Sequence, residues 1–252
     1  MLPLSDREVP RHGTPFVNIA IIVVNVLVFI YTFTLPGFDE QVFFWRFGVL
    51  PIEFTSGVSA GIQNLPGGGI VDLTSPVPTW ATLVTSMFIH GGLMHVGGNM
   101  LFLWVFGDNI EEKLGHVGYA IFYVGAGLAA GAAHIAFNWD SVVPTVGASG
   151  AVAGVLGAYL MYYAFHRIHT LIFLGFFIMV REIPAVLMIG FWAFMQVFSG
   201  VASIGASGGG VAYWAHVGGF VAGVGFVAAT RLARGQPIWQ PDHRMGAHRY
   251  YR

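Results

Sequence analysis

Five long stretches of this 252-residue chain contain no Asp, Glu, Lys or Arg: 12–38, 73–107, 114–139, 141–166 and 183–230. Apolar residues dominate each of them. A helix needs about 20 mostly apolar residues to cross a bilayer. The pattern predicts six such helices, at roughly 16–35, 92–110, 117–137, 148–165, 184–203 and 211–230. The runs are too long and continuous for a barrel, whose strands alternate over about 10 residues. The first span, VNIAIIVVNVLVFIYTF, is too long for a signal-peptide core and has no cleavage site behind it, so it reads as a retained helix. The expected fold class is an all-α polytopic membrane protein, a bundle of six transmembrane helices. LIFLGFFIMV (171–180) is apolar but about half a span long, which reads as interfacial or re-entrant.

Charge placement decides between six spans and seven. With six spans and the N-terminus inside, ten of the 11 Lys and Arg residues fall on the cytoplasmic side. They are Arg7, Arg11, Lys113, Arg167, Arg181, Arg231, Arg234, Arg244, Arg249 and Arg252, and only Arg46 lies outside. A span at 171–180 would move Arg181 and the five C-terminal arginines to the outer side. The positive-inside rule therefore favours six spans with both termini cytoplasmic. The chain divides into a cytoplasmic segment at 1–15, a membrane domain at 16–230 and a basic tail at 231–252. The first outer loop, 36–91, is the longest connection. It carries bulky apolar runs such as QVFFWRFGVLP, so it is expected to lean on the bilayer or cap the bundle.

Composition agrees. Charged residues make up 9% and hydrophobic residues 56% of the chain, and the mean hydropathy is +0.70. A soluble domain carries about 25% charged residues. A net charge of −1 with almost no lysine excludes nucleic acid as a partner. The absence of cysteine excludes disulfides, thiolate metal sites and a cysteine nucleophile. Glycines recur at spacing four, in Gly127/Gly131, Gly150/Gly154 and Gly219/Gly223, a pattern that lets membrane helices approach closely.

The candidate chemistry lies in the polar residues that the spans tolerate. His95 and Asn99 share one face of the second span. Ser149 opens the fourth, and His216 lies about five residues into the sixth. In the six-span topology all four fall within about 10 Å of the outer ends of their helices. Singly, Ser149 reads as a helix cap, His216 as a core histidine and Asn99 as a contact between helices. At one shared depth they point to a common site, because polar groups in a membrane are costly. A serine and a histidine permit nucleophilic catalysis, with the imidazole taking and returning the hydroxyl proton. Ser149 at a helix start brings free backbone N–H groups with it. Gly147, Ala148 and Gly150 keep its surroundings small. His95 and Asn99 can donate hydrogen bonds to a developing oxyanion. No carboxylate lies near, so a dyad is expected. The alternative for His90, His95, His134 and His216 is metal or haem ligation, although no HExxH motif is present.

At these residues the chain resembles the rhomboid family of intramembrane serine proteases. HGGLMHVGGN resembles the family's HxxxxHxxxN, GASG its GxSG, and AHVGGFVAG its AHxxGxxxG. The three occur in that order on the second, fourth and sixth spans, and the likeness extends over about 16–230. The resemblance implies a bacterial-type six-helix core, hence a bacterial inner membrane. It also implies single-pass membrane proteins as substrates, and no cofactor or metal. It assigns Ser149 as nucleophile, His216 as general base, and His95, Asn99 and the Ser149 N–H as the oxyanion site. His90 becomes a supporting histidine. Two positions depart from the pattern. Trp80 is followed by Ala81, where some relatives have Trp-Arg, and Ala153 stands where some place a tyrosine against the histidine. The aromatics at Phe191, Trp192, Phe194 and Phe198 read as lipid-facing packing, or by family analogy as a lateral substrate gate. The rival functions are a non-catalytic relative acting as a membrane chaperone or adaptor, and a transporter or haem protein using the histidines.

Overall fold

The computed structural model describes residues 1–6, 13–65, 69–175, 177–204 and 210–241. Arg7 and Arg11, the centre of the LPGGG run and the tail from residue 242 lie outside the described residues.

Strand β1 (Leu2–Ser5) precedes helix α1 (Phe16–Phe33). This helix buries Asn18, Asn25, Phe29 and Thr32 along one face and exposes Val23, Val24, Leu27 and Ile30 on the other. A polar face turned inward and an apolar face turned outward is the inverse of a water-soluble helix and fits lipid as the solvent. The long connection that follows is structured. It holds α2 (Gly37–Phe47), α3 (Pro51–Ser56), a hairpin of β2 (Ile62–Leu65) and β3 (Gly69–Asp72), and α4 (Thr79–Thr85) with one 3₁₀ turn after it. It is tied to the segment before the serine. Val49 and Thr145 exchange backbone hydrogen bonds of 2.9 Å, and the Gly147 N–H donates to the Ser86 carbonyl.

Helix α5 (Leu93–Phe102) runs through a π-helical turn at Leu103–Gly107 into α6 (Asp108–Phe137). The π turn frees backbone acceptors. The Asn18 amide donates to the Leu103 carbonyl at 2.9 Å, and its oxygen accepts from the Tyr119 hydroxyl. A Cβ on Gly107 would overlap the Asn18 side chain. Nearby, Glu111 accepts the N–H groups of Val17 and Asn18 at 3.0 and 2.7 Å. A carboxylate from another helix thus caps α1, whose own N-cap position holds Pro15. Gly115 interrupts α6 with φ 72° and ψ 164°, a backbone that glycine adopts readily.

Helix α7 (Ser149–Tyr163) lies at the centre and packs chiefly on α6 and on α9 (Tyr213–Ala233). Between them in sequence stand strands β4 (Arg167–Leu174) and β5 (Phe177–Pro184) and helix α8 (Ala185–Ala202). Among the described residues, four helical stretches are long and apolar enough to cross a membrane: Phe16–Phe33, Leu93–Phe137, Ala185–Ala202 and Tyr213–Ala233. At 15 residues α7 is shorter than these, and it is buried along nearly its whole length.

One expectation changes, and the segment 171–180 gains a structure. The fold is mostly helical but not all-α, because β1, β4 and β5 form an antiparallel sheet in the order β1-β4-β5, beside the β2-β3 hairpin. The segment 171–180 is the end of the β4-β5 hairpin, paired from Arg167↔Pro184 to Leu174↔Phe177. Short apolar runs rich in Ile, Val and Phe carry no periodicity that separates strand from helix. Here Gly175, at φ 59°, supplies the turn and strand pairing satisfies the backbone.

Candidate active site

Glycine builds the site. A Cβ on Gly219 or Gly223 would overlap the carbonyl oxygen of Gly150 or Gly154, and one on Gly157 that of Phe220. The backbones of α7 and α9 are therefore in contact, which side chains larger than hydrogen forbid. Gly127 and Gly131 differ: the space beside them is taken by the side chains of Met87 and Leu83 from the loop.

This contact brings two side chains together. The Ser149 hydroxyl lies 2.7 Å from Nε2 of His216. Ser149 is the first helical residue of α7, the N-cap position is Ala148, and no side-chain cap bond is made. Its hydroxyl therefore faces the histidine and does not close the helix end. The first intrahelical bond runs from the Val152 N–H to the Ala148 carbonyl, which leaves the N–H groups of residues 149–151 without an intrahelical acceptor.

Gly147 has φ 132°, and a Cβ there would stand 2.7 Å from Nε2 of His95 and 3.6 Å from the Ser149 hydroxyl. The His95 ring thus lies beside the turn that presents the serine. His90 is fully buried and meets the His95 ring edge-on at 4.9 Å. The Ala148 N–H donates to His90 Nε2 at 3.4 Å, so the ring proton sits on Nδ1, which is buried without a hydrogen-bond partner among the described residues. Burial, and then the neighbouring His95, push the pKa of His90 down to about 3, which keeps the ring neutral and able to accept. Asn99 is not brought to the serine by a hydrogen bond: its amide donates to the His95 carbonyl at 3.1 Å, one turn back on its own helix. His134 accepts or donates at 2.8 Å with Thr145 and so pins the strand-like segment before Gly147. Among the described residues no group of three or more His, Asp or Glu side chains is arranged to hold a metal ion.

Two neighbours of His216 come from α8. Nδ1 lies 2.8 Å from the Oε1 atom of Gln196, and the Trp192 ring lies 6.0 Å away, centroid to centroid. Phe191, Phe194 and Phe198 are exposed, and Trp192 alone of the four α8 aromatics packs against the buried core. Gln196 was not among the expected site residues. One polar residue in the run FWAFMQVF was the signal that could have found it. Two spaces adjoin the pair. A cavity of about 40 Å³, lined by Ser86, His134, Thr145, Gly147 and Ser149 among others, has room for about one water. An apolar crevice of about 360 Å³ opens between α8 and α9 beside Trp192, Gln196 and His216.

Residues 78–233 match the Rhomboid domain family model, and the chain belongs to this family. It is an integral membrane protein. Among curated relatives it is 37% identical over 81 residues to the "Rhomboid protease GluP" of Bacillus subtilis, covering 32% of this chain and 15% of that protein. It is 28% identical over 155 residues to "RHOMBOID-like protein 1" of Arabidopsis thaliana, covering 58% of this chain and 39% of that one. It is 26% identical over 136 residues to the "Putative rhomboid protease YdcA" of Bacillus subtilis, covering 54% and 57%. The chain thus spans less than two thirds of the length of each. The family match begins at Pro78, so α1 and most of the outer loop stand outside it.

Proposed function

We propose that this chain is an intramembrane serine endopeptidase that cleaves transmembrane segments of other membrane proteins. The observation that carries it is the 2.7 Å contact between the Ser149 hydroxyl and His216 Nε2, made between the buried helix α7 and its neighbour α9 in a rhomboid-family membrane domain. The serine oxygen attacks the scissile carbonyl while Nε2 takes its proton. The oxyanion that forms is met by the Ser149 N–H and by His95, with Asn99 joining once its amide turns from the His95 carbonyl. His216 returns the proton to the leaving amine. Water then releases the acyl-enzyme, with the small cavity behind Ser149 as its reservoir. No cofactor enters the chemistry.

Six membrane crossings with both termini in the cytoplasm, in a bacterial plasma membrane, belong to the same proposal. The stretch Leu93–Phe137 has 45 residues, about 68 Å of helix, more than twice the ~30 Å of a bilayer's hydrocarbon core. The break at Gly115 supports its division into two crossings. Burial of α7 supports a sixth, shorter crossing screened from lipid. The substrates are single-span proteins whose helix end unwinds beside Ser149.

A fluorophosphonate probe tests the nucleophile in the purified, detergent-solubilised protein. Wild type is expected to label, and Ser149→Ala and His216→Ala are expected not to. Equal labelling of Ser149→Ala would remove the assignment.

A further inference from the structure

We infer that Gln196 is a positioning residue for His216, holding the ring in the tautomer that leaves Nε2 free to accept the Ser149 proton. This role rests on the assignment of Ser149 and His216 as nucleophile and base. Two hydrogen bonds carry it. The Gln196 Nε2 donates to the Trp192 carbonyl at 3.3 Å. A carbonyl only accepts, so this end of the amide is the NH₂ end and the other is the oxygen. That oxygen lies 2.8 Å from His216 Nδ1. Two acceptors cannot share a hydrogen bond, so Nδ1 carries the proton of the neutral ring. Nε2 then presents its lone pair to the Ser149 hydroxyl, 2.7 Å away.

The backbone of α8 thus dictates the protonation of a ring on α9. In a serine protease triad a buried carboxylate does this and also balances the imidazolium charge. A carboxylate in this apolar crevice would be costly to desolvate. A neutral amide oxygen fixes the same tautomer without that cost. The link also joins the site to α8, on which Phe191, Phe194 and Phe198 are exposed. Movement of α8 away from α9 breaks the Nδ1 contact.

The test compares cleavage of a single-span reporter by wild type, Ser149→Ala, Gln196→Met and Gln196→Glu, with kcat and KM measured separately in proteoliposomes. Methionine keeps the length and removes the acceptor; glutamate restores an oxygen. Gln196→Met is expected to lose roughly ten- to hundredfold in kcat, with KM within about twofold. Gln196→Glu, neutral in this apolar crevice, keeps a carbonyl oxygen for the Nδ1 proton and an O–H for the Trp192 carbonyl, and is expected to recover most of that loss. Nitrogen-15 NMR of ring-labelled wild-type protein, with the His216 signal identified by its absence in His216→Ala, is expected to show the proton on Nδ1. This second measurement stands even if Gln196→Met fails to fold. Wild-type kcat in Gln196→Met, or a His216 proton on Nε2, would overturn the role. Cleavage that survives Ser149→Ala strikes at the active-site assignment itself. Cleavage lost in Ser149→Ala but untouched in Gln196→Met strikes at Gln196 alone.

Discussion

A Cβ on Gly219 would overlap the carbonyl oxygen of Gly150. Ser149 directly precedes Gly150, and His216 stands one helical turn before Gly219. The backbone contact therefore fixes the separation of Ser149 and His216. Gly219→Val is expected to force α7 and α9 apart and to cost about 1–3 kcal/mol, the usual range for overpacking. Thermal unfolding in detergent checks the stability. The rate of fluorophosphonate labelling checks the site, and it is expected to fall further than stability alone accounts for.

Gly147→Ala tests the turn that presents the serine. Its φ of 132° is unfavourable for any residue with a Cβ, and the added methyl would crowd Nε2 of His95 at 2.7 Å. Strain of about 1–3 kcal/mol is expected. Because the strain falls between His95 and Ser149, reporter cleavage should drop by at least tenfold in protein that still elutes as a monodisperse peak. Unchanged cleavage would show that this turn does not set the serine's position.

Glu111→Ala tests the cap of α1. The substitution leaves the N–H groups of Val17 and Asn18 without their acceptor, at about 1–3 kcal/mol for buried donors. The site lies on other helices, so the expected outcome is a lower unfolding temperature with labelling of Ser149 retained below it. Loss of labelling at temperatures where the fold is intact would contradict this division.

Arg231→Leu tests the attachment of the segment after α9. The buried guanidinium donates to the carbonyls of Met161, Ile238 and Gln240 and lies 5.0 Å over the Tyr162 ring. Without it, residues 235–241 lose their anchor to α7. Limited trypsin digestion is expected to cut after Arg234 several-fold faster, with the membrane core intact.

The membrane helices were legible because hydropathy over about 20 residues needs no knowledge of neighbours. Ser149 and His216 were legible because each stands as a polar residue in an apolar, glycine-rich run. Their neighbours were less so. Asn99 has the right spacing to share a face with His95, but spacing does not say that its amide closes on the His95 carbonyl. Gln196 acts through a contact between α8 and α9, which no periodicity within either helix encodes. Trp192 and Phe191 are adjacent aromatics in one run, and only the packing on α9 turns the first inward. The β4-β5 hairpin is illegible for a different reason: the apolar run at its centre has the hydropathy of half a span, and pairing with β1 depends on residues more than 160 positions away. Position 153 is a small alanine, and the aromatic ring beside His216 is that of Trp192 on α8, a contact between helices that the sequence of α7 does not encode.

In the proposed function, Ser149 and His216 together cleave peptide bonds within the membrane. The most direct measurement reconstitutes the purified protein in liposomes with a single-span reporter and follows the cleaved fragments by mass. Wild type is expected to cut within or at the edge of the reporter's transmembrane segment, with Ser149→Ala and His216→Ala each slower by at least about a thousandfold. Cleavage by Ser149→Ala at the wild-type rate, or no cleavage of any transmembrane reporter by wild-type protein that labels at Ser149, would contradict the claim.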